Sequence, residues 1–301
     1  NIGGQQTPVN RTRRRSSRQH SDNLPVGVEH YENFPVASVL CPPELRPPIT
    51  AIYGFARTAD DIADEGDATP LQRISTLQAY LAELEAISQG RDPGPRWPQV
   101  FVPLRSAVER HTLPIQPLRD LVDAFVQDAS NPQYADRLQL LDYCRRSANP
   151  VGRLLLHLYR IDDERSLTQS DSICSALQLI NFWQDLSVDL PRGRCYPPLA
   201  DLASHGLTFD HLLAPSDTAA ASAQAMVADL CRWARELMVS GAPLARRIPG
   251  RAGWELRLVV QGGLRILDKI AAMNHRTLTG RPKLSPMDVP LLCWRALISS
   301  P

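Results

Sequence analysis

The apolar side chains of this sequence recur mainly at intervals of three and four residues, the period of an amphipathic helix. The clearest apolar stripe consists of Leu71, Ile74, Leu77, Leu81, Leu84 and Ile87. Thr69 is placed to cap the start of this helix, Pro70 suits its first turn, and Gly90 is placed to end it. The pattern therefore predicts a helix from Thr69 and Pro70 to Gly90.

The same period predicts helices over most of the remaining chain. Pro47 and Pro48 open one of them, and Pro150 is expected to break or kink another. Further helices are predicted at 118–125, 138–158, 219–238, 255–273 and 287–298. No segment shows the alternation of apolar and polar residues that is typical of a strand. The predicted fold class is therefore all-α, with one helical domain.

Composition narrows the class of protein. The chain has 301 residues and a formal net charge of +1, which argues against a nucleic-acid partner. No apolar run reaches the ~18–20 residues that span a bilayer. A basic segment at 12–18 with no apolar stretch after it predicts a disordered leader over 1–27, followed by an all-α domain over 28–301. Attraction of this leader to anionic lipid is the alternative.

The six cysteines are dispersed along the chain and form no C-x-x-C pair. This spacing argues against a zinc site and against a disulfide framework. A reduced protein of the cytoplasm is the simplest interpretation.

Acidic side chains are concentrated at two places, each with helical spacing. The first acidic row is Asp60, Asp61 and Asp64, with Arg57 and Tyr53 one and two turns earlier. A cluster of this kind is usually a solvated helix face, but the residues before it are largely apolar, which indicates a buried helix. Carboxylates on a buried helix are expected to be paired with cations or bound to metal.

The second acidic row is a ladder of Asn181, Asp185 and Asp189, with Gln178 in line, in a segment rich in apolar residues. Close carboxylates in two facing rows would repel by ~4 kcal/mol per pair at an effective dielectric near 20. A cation is therefore expected between them, and oxygen ligands suit Mg²⁺. The predicted metal ligands are Asp60, Asp61, Asp64, Asn181, Asp185 and Asp189.

Motifs for nucleotide binding, G-x-x-x-x-G-K and G-x-G-x-x-G, are absent from the sequence. The remaining hypothesis is ionisation of a diphosphate from an apolar substrate. Arg57 and either Arg192 or Arg194 are expected to bind the phosphate oxygens. The irregular stretch at 191–218 is either a lid over the site or a surface loop. Aromatic side chains that could shelter a carbocation, or simply pack in the core, are Phe34, Tyr53 and Trp183.

These motifs resemble the squalene/phytoene synthase family of head-to-head isoprenoid synthases, from residue 30 to about 278. Residues 30–34 resemble a substrate-binding segment, the acidic rows resemble two aspartate-rich motifs, and residues 194–197 resemble the stretch that follows. The resemblance implies an isoprenoid-synthase helical bundle with a central cavity, bound Mg²⁺ and a prenyl diphosphate. It implies catalytic roles for Asp60, Asp64, Asp185 and Asp189, and substrate contacts for His30, Tyr31, Asn33, Tyr53, Arg57, Gln178, Gln184, Arg194 and Tyr196.

The sequence departs from the family pattern at three places. Gln184 stands where an arginine is common, residues 143–153 are more polar than usual, and Gly262 and Gly263 lie near the place of a tyrosine. These departures resemble the branch that converts presqualene diphosphate and water to hydroxysqualene. Polar side chains that either deliver water or are structural are Arg145, Arg146, Asn149 and Gln184.

Three rival functions remain open from the sequence. One is condensation of two farnesyl diphosphates to presqualene diphosphate or squalene. The others are a non-catalytic family member that binds or assembles other proteins, and a structural helical protein with acidic surface patches. The expected partner is presqualene diphosphate or a related prenyl diphosphate. Because this substrate is strongly apolar, transient contact with the inner membrane surface or with pathway partner enzymes is expected.

Overall fold

The computed structural model describes residues 41–214 and 216–298, which form helices and connecting loops without a β-strand. The helices are α1 (Arg46–Asp64), α2 (Pro70–Ser88), α3 (Pro98–His111), α4 (Gln116–Asp128), α5 (Arg137–Ser147), α6 (Asn149–Leu158), α7 (Glu164–Gln184), α8 (Leu186–Asp189), α9 (Leu199–Ser204), α10 (Phe209–Leu213), α11 (Asp217–Gly241), α12 (Leu244–Arg247), α13 (Gly250–Ala272) and α14 (Val289–Ile298). The all-α class is confirmed. The predicted leader and residues 30–34 lie outside the described residues.

Local sequence signals explain the ends of α2. The Thr69 hydroxyl accepts a hydrogen bond from the backbone N–H of Gln72 at 3.3 Å, and the Gln72 side chain accepts one from the N–H of Thr69 at 2.9 Å. This reciprocal pair satisfies two N–H groups that have no partner within the helix. Gly90 has φ +72°, which a glycine adopts without steric cost just after a helix. The predicted helix is confirmed.

The predicted break at Pro150 is also confirmed. α5 ends at Ser147 and α6 begins at Asn149, so Pro150 lies in the first turn of α6, where its missing N–H does no harm. The dispersed cysteines are free thiols.

Three segments differ from the predictions. The second acidic row does not lie on one helix, because α7 ends at Gln184 and the short α8 carries Asp189. α3 has no predicted counterpart, since Pro103 within it hides the helical pattern. The stretch at 191–218, expected to be irregular, contains α9 and α10.

The buried side chains form two hydrophobic clusters. The first cluster joins α1, α2 and α3 and includes Phe55, Tyr80 and Phe101. The second cluster surrounds α7 and includes Ile180 and Trp183. α7 lies against α6, α11 and α13. α4 and α6 contribute side chains to both clusters. The two acidic rows therefore stand on helices with different apolar surroundings.

Phe101 should be the most sensitive position of the first cluster. Its ring is fully buried, and its centroid lies 4.7 Å from that of Tyr80 and 5.9 Å from that of Phe55. Phe101→Ala should lower the free energy of unfolding by about 3–5 kcal/mol, measured by urea denaturation. Val102→Ala, at an exposed neighbour on the same helix, should change it by less than about 0.5 kcal/mol. Equal losses in the two variants would contradict the assignment of this core.

Candidate active site

The first acidic row lies at the carboxyl end of α1. The opposite side of this helix is buried through Ala59 and Ala63, which turns the polar face outward from the first cluster. Arg57 holds the row together: its Nη1 lies 3.2 Å from Oδ2 of Asp60, and its Nη2 lies 2.5 Å from Oδ1 of Asp61. The predicted sharing of one face by these residues is therefore observed.

The second acidic row follows the end of α7 with nearly helical spacing despite the break. The Asp185 N–H donates to the Asn181 carbonyl, and the Asp189 N–H donates to the Asp185 carbonyl, each at 2.9 Å. Gln178 and Asn181 are half-buried, whereas Trp183 is fully buried within the second cluster. Trp183 is thus a core residue.

Arg194 joins the two rows. Its Nη2 lies 2.5 Å from Oδ1 of Asp64, and its backbone N–H donates to the Asp189 carbonyl at 3.0 Å. The Asp64 charge also contributes to the pKa shift of Asp189, which places these two carboxylates within electrostatic range. Of the two arginines considered from the sequence, Arg194 makes the contact, while Arg192 is exposed.

The carboxylates of the two rows carry more negative charge than the arginines neutralise. Burial and the Asp64 charge raise the pKa of Asp60 to about 6, although Arg57 acts against this shift. Burial and the Asp185 charge raise the pKa of Asp189 to about 6, against the influence of Arg194. Such shifts mark carboxylates that are both buried and close to other carboxylates.

The donor set fits Mg²⁺ in its chemistry, because the ligands are carboxylate and amide oxygens with a surplus of negative charge. Among residues 41–214 and 216–298, however, no three acidic, histidine or cysteine side chains converge in the arrangement of a metal centre. Arginines instead contact the aspartates, through Arg57 on α1 and Arg194 between the rows. The side chains are therefore compatible with a shared divalent cation without being arranged around one.

Arg281 was missed by the sequence analysis. Its Nε lies 2.5 Å from Oδ1 of Asp185 and its Nη2 lies 3.1 Å from Oδ2, a bidentate pair. The buried Gln184 side chain donates to the Pro282 carbonyl at 2.7 Å, and the Ser187 N–H donates to the Thr277 carbonyl at 3.0 Å. The loop after α13 is thus fastened along the end of α7. The sequence analysis had singled out Gln184 and Asp185 but not the loop that contacts them.

Asp128, at the end of α4, was also missed. Its Oδ2 accepts a hydrogen bond from the Tyr143 hydroxyl at 2.9 Å. Burial raises the pKa of Asp128 to about 7, and the Asp64 charge adds to the shift while the Tyr143 hydrogen bond opposes it. Asp128 therefore adds a further carboxylate within electrostatic range of the first acidic row.

Aromatic rings lie beside these carboxylates. The Tyr196 ring stacks on Phe182 with centroids 3.7 Å apart and an angle of 7° between the planes. Burial raises the pKa of Tyr196 well above its ordinary value, and the charge of Asp128 adds to the shift. An aromatic surface of this kind presents a negative face to a cation.

The remaining predicted residues divide into three groups. Tyr53 is half-buried on α1, one turn before Arg57. Arg145 is exposed and pairs with Asp142, whereas Asn149 is buried and accepts a hydrogen bond from the Ser175 hydroxyl at 2.9 Å. Residues that lie outside the described part of the chain are His30, Tyr31, Asn33 and Phe34.

The raised pKa of Asp60 predicts a change in stability with pH. Since the folded state holds this proton more tightly than the unfolded chain, Asp60 favours folding below about pH 4 and loses that contribution as pH rises through about 6. A shift of roughly 2 pKa units corresponds to about 3 kcal/mol. In metal-free buffer, Asp60→Asn should therefore stabilise the protein at pH 8 by up to that amount and have little effect at pH 4.

Urea denaturation at the two pH values measures this difference. Asp67→Asn, at an exposed position just beyond α1, is the control and should change stability by less than about 0.5 kcal/mol. A destabilising effect of Asp60→Asn at pH 8 would show that the first row is not electrostatically strained.

Comparisons with known proteins give the relatives of this chain. The hydroxysqualene synthase of Sinorhizobium fredii is 33% identical over 265 residues, which is 86% of each chain. The hydroxysqualene synthase of Rhodopseudomonas palustris is 32% identical over 292 residues, covering 95% of this chain and 91% of that protein. The crystal structure of squalene synthase HpnC from Alicyclobacillus acidocaldarius superposes with a TM-score of 0.73 at 35% identity, covering 82% of this chain and 90% of the other. Residues 28–288 match the family model described as squalene/phytoene synthase. The chain belongs to the squalene/phytoene synthase family.

Proposed function

We propose that this chain converts presqualene diphosphate and water to hydroxysqualene and diphosphate, with Mg²⁺ as cofactor. The carbon–oxygen bond to the diphosphate breaks, and the leaving diphosphate keeps the electron pair. Water adds to the resulting carbocation and gives up one proton. The reaction requires neither an oxidant nor a reductant, so no NADPH is expected to take part.

The observation that carries the proposal is the meeting of the two acidic rows at Arg194. Members of this family act on prenyl diphosphates, whose charged end needs cations and whose chain needs apolar walls. The family name covers enzymes with different products, so membership alone does not select the reaction. The choice rests on the names of the relatives and on Gln184, where an arginine is common in the family.

Mg²⁺ is proposed to bind Asp60, Asp64, Asp185 and Asp189, with Asp61 and Asn181 as further oxygen ligands. When bound, it neutralises the charge that develops on the leaving diphosphate. Arg57, Arg194 and Arg281 each offer a planar guanidinium that can bind two phosphate oxygens and orient the diphosphate.

The stacked rings of Phe182 and Tyr196 are proposed to face the developing carbocation. Gln178 and Tyr53 are proposed to contact the substrate near the two rows. The buried Gln184 is engaged with a backbone carbonyl, so its proposed part is to position the loop that carries Arg281. A cytoplasmic location is proposed because the free, dispersed cysteines are typical of a reducing compartment.

The test offers the purified protein presqualene diphosphate and farnesyl diphosphate in separate reactions, with Mg²⁺ and without NADPH. Hydroxysqualene and diphosphate are expected from presqualene diphosphate only, and removal of Mg²⁺ with a chelator should stop the reaction. Extracted products are identified by mass spectrometry.

Two results would overturn the proposal. Presqualene diphosphate or squalene formed from farnesyl diphosphate alone would assign the condensation reaction instead. Absence of turnover with both substrates, in protein that still shows the helical circular dichroism spectrum, would favour the non-catalytic alternative.

A further inference from the structure

α14 and the turn before it expose an apolar surface. Five large side chains, each between 53% and 89% exposed, form what we term the α14 face: Met287, Val289, Trp294, Leu297 and Ile298. Most other exposed large apolar side chains of the described residues are scattered singly over the remaining helices, as is normal for a protein surface. A concentration of this kind usually marks an interaction site.

The orientation of α14 is fixed by its other side. Ala296 is buried, and Nη1 of Arg295 lies 2.7 Å from Oδ2 of Asp268 on α13. Trp294, Leu297 and Ile298 are three and four residues apart, so they lie together on the outward side of the helix. The α14 face is therefore held away from the core rather than packed into it.

Four basic side chains pair with two carboxylates beside this helix. Asp268 pairs with both Arg235 and Arg295. Asp288, in the turn before α14, pairs with both Arg265 and Lys269. The exposed Lys283 adds a fifth cation next to them, since the Lys269 Nζ donates to its carbonyl. These five cations and two carboxylates, which we term the basic collar, carry a net charge of +3.

We propose that the α14 face docks on an anionic phospholipid bilayer, with α14 lying in the plane of the membrane surface. Apolar side chains with a tryptophan suit the boundary between head groups and acyl chains. The net positive charge of the basic collar would attract the negative head groups, which favour Lys and Arg near the surface. Among the described residues no helix has the length and hydropathy to cross a membrane.

Charge also argues against a second copy of this chain as the occupant. In a symmetric dimer the same surface meets itself, so two basic collars would lie opposite each other. Like charges brought together in this way oppose association. An anionic membrane offers both the apolar layer and the complementary charge.

The proposal is tested by flotation of the full chain with vesicles. Vesicles of phosphatidylglycerol and phosphatidylethanolamine should bind the protein and float with it. Vesicles of phosphatidylcholine alone should bind it more weakly by a factor of about ten or more. Combining Trp294→Ser with Leu297→Ser should weaken binding to the anionic vesicles by about tenfold or more. Raising the salt to about 0.5 M should also weaken binding of the unaltered protein.

The matched control combines Leu71→Ser with Leu138→Ser, two exposed leucines on α2 and α5. This variant removes comparable apolar area elsewhere and should bind anionic vesicles as the unaltered protein does. Equal binding by the α14 variant would overturn the proposal. So would a dimer, detected by light scattering, that the α14 variant abolishes. Because the readout is binding alone, a failure here is distinct from a failure of the proposed reaction.

Discussion

Asp185→Ala should lower the rate of Mg²⁺-dependent diphosphate release from presqualene diphosphate by about a thousandfold or more. Asp185 stands at the end of α7, where the second acidic row faces the first, and its loss removes a proposed metal ligand. It also removes the carboxylate that pairs with the Arg281 guanidinium. The rate is measured by release of diphosphate, and far-ultraviolet circular dichroism should show that helicity is retained. The same loss is expected for Asp60→Ala.

Asp171→Ala provides the matched control for Asp185→Ala. Asp171 also lies on α7 and also pairs with an arginine in bidentate fashion, through Arg153 at 3.0 and 2.7 Å. Removing it deletes the same chemical group from the same helix, away from the acidic rows, and should leave turnover within about twofold of the unaltered rate. Full activity of Asp185→Ala would refute the metal assignment.

Arg281→Met should lower turnover by about a hundredfold, since the variant keeps most of the side-chain volume but removes the charge proposed to orient the diphosphate. A second readout is independent of turnover: binding of inorganic diphosphate in the presence of Mg²⁺, measured by calorimetry, should weaken as well. Arg153→Met is the control and should change neither quantity appreciably. Unchanged diphosphate binding by Arg281→Met would show that Arg281 does not bind the diphosphate.

Gln184→Met tests whether Gln184 positions Arg281 by holding the loop after α13. This substitution deletes the hydrogen bond to the Pro282 carbonyl and should weaken diphosphate binding by about tenfold, a cost typical of one lost hydrogen bond to a positioning residue. If Gln184 acts through its neighbour in the loop, adding Gln184→Met to Arg281→Met should cause little further loss. Additive losses in the double variant would indicate a separate, structural role for Gln184.

The sequence predicted those parts of the fold that depend on neighbouring residues. The ends of α2 follow from Thr69, Pro70 and Gly90, whose effects act within one turn of the helix. The acidic rows were found for the same reason, because residues three and four apart meet on a helix whatever the rest of the chain does. Even the break at Gln184 changes the second row little, since α8 continues nearly the same spacing.

The contacts that the sequence did not predict join distant segments. Arg281 is 96 residues from Asp185, and nearly all basic residues of this chain are arginines, so its type alone did not distinguish it. Asp128 lies just beyond a predicted helix, and only tertiary packing brings it near the first row. α14 was predicted as a helix, but which side of it would lack a partner depends on how it packs against α13.

The two hydrophobic clusters have a consequence for how the protein melts. The first acidic row belongs to a helix of one cluster and the second acidic row to a helix of the other. A diphosphate held with Mg²⁺ across both rows would add to the coupling that α4 and α6 already provide between the clusters, because moving the rows apart would then require release of the ligand. Calorimetric scans should therefore show a sharper, more cooperative unfolding transition when ligand is added, so that binding at one site changes how the whole chain unfolds.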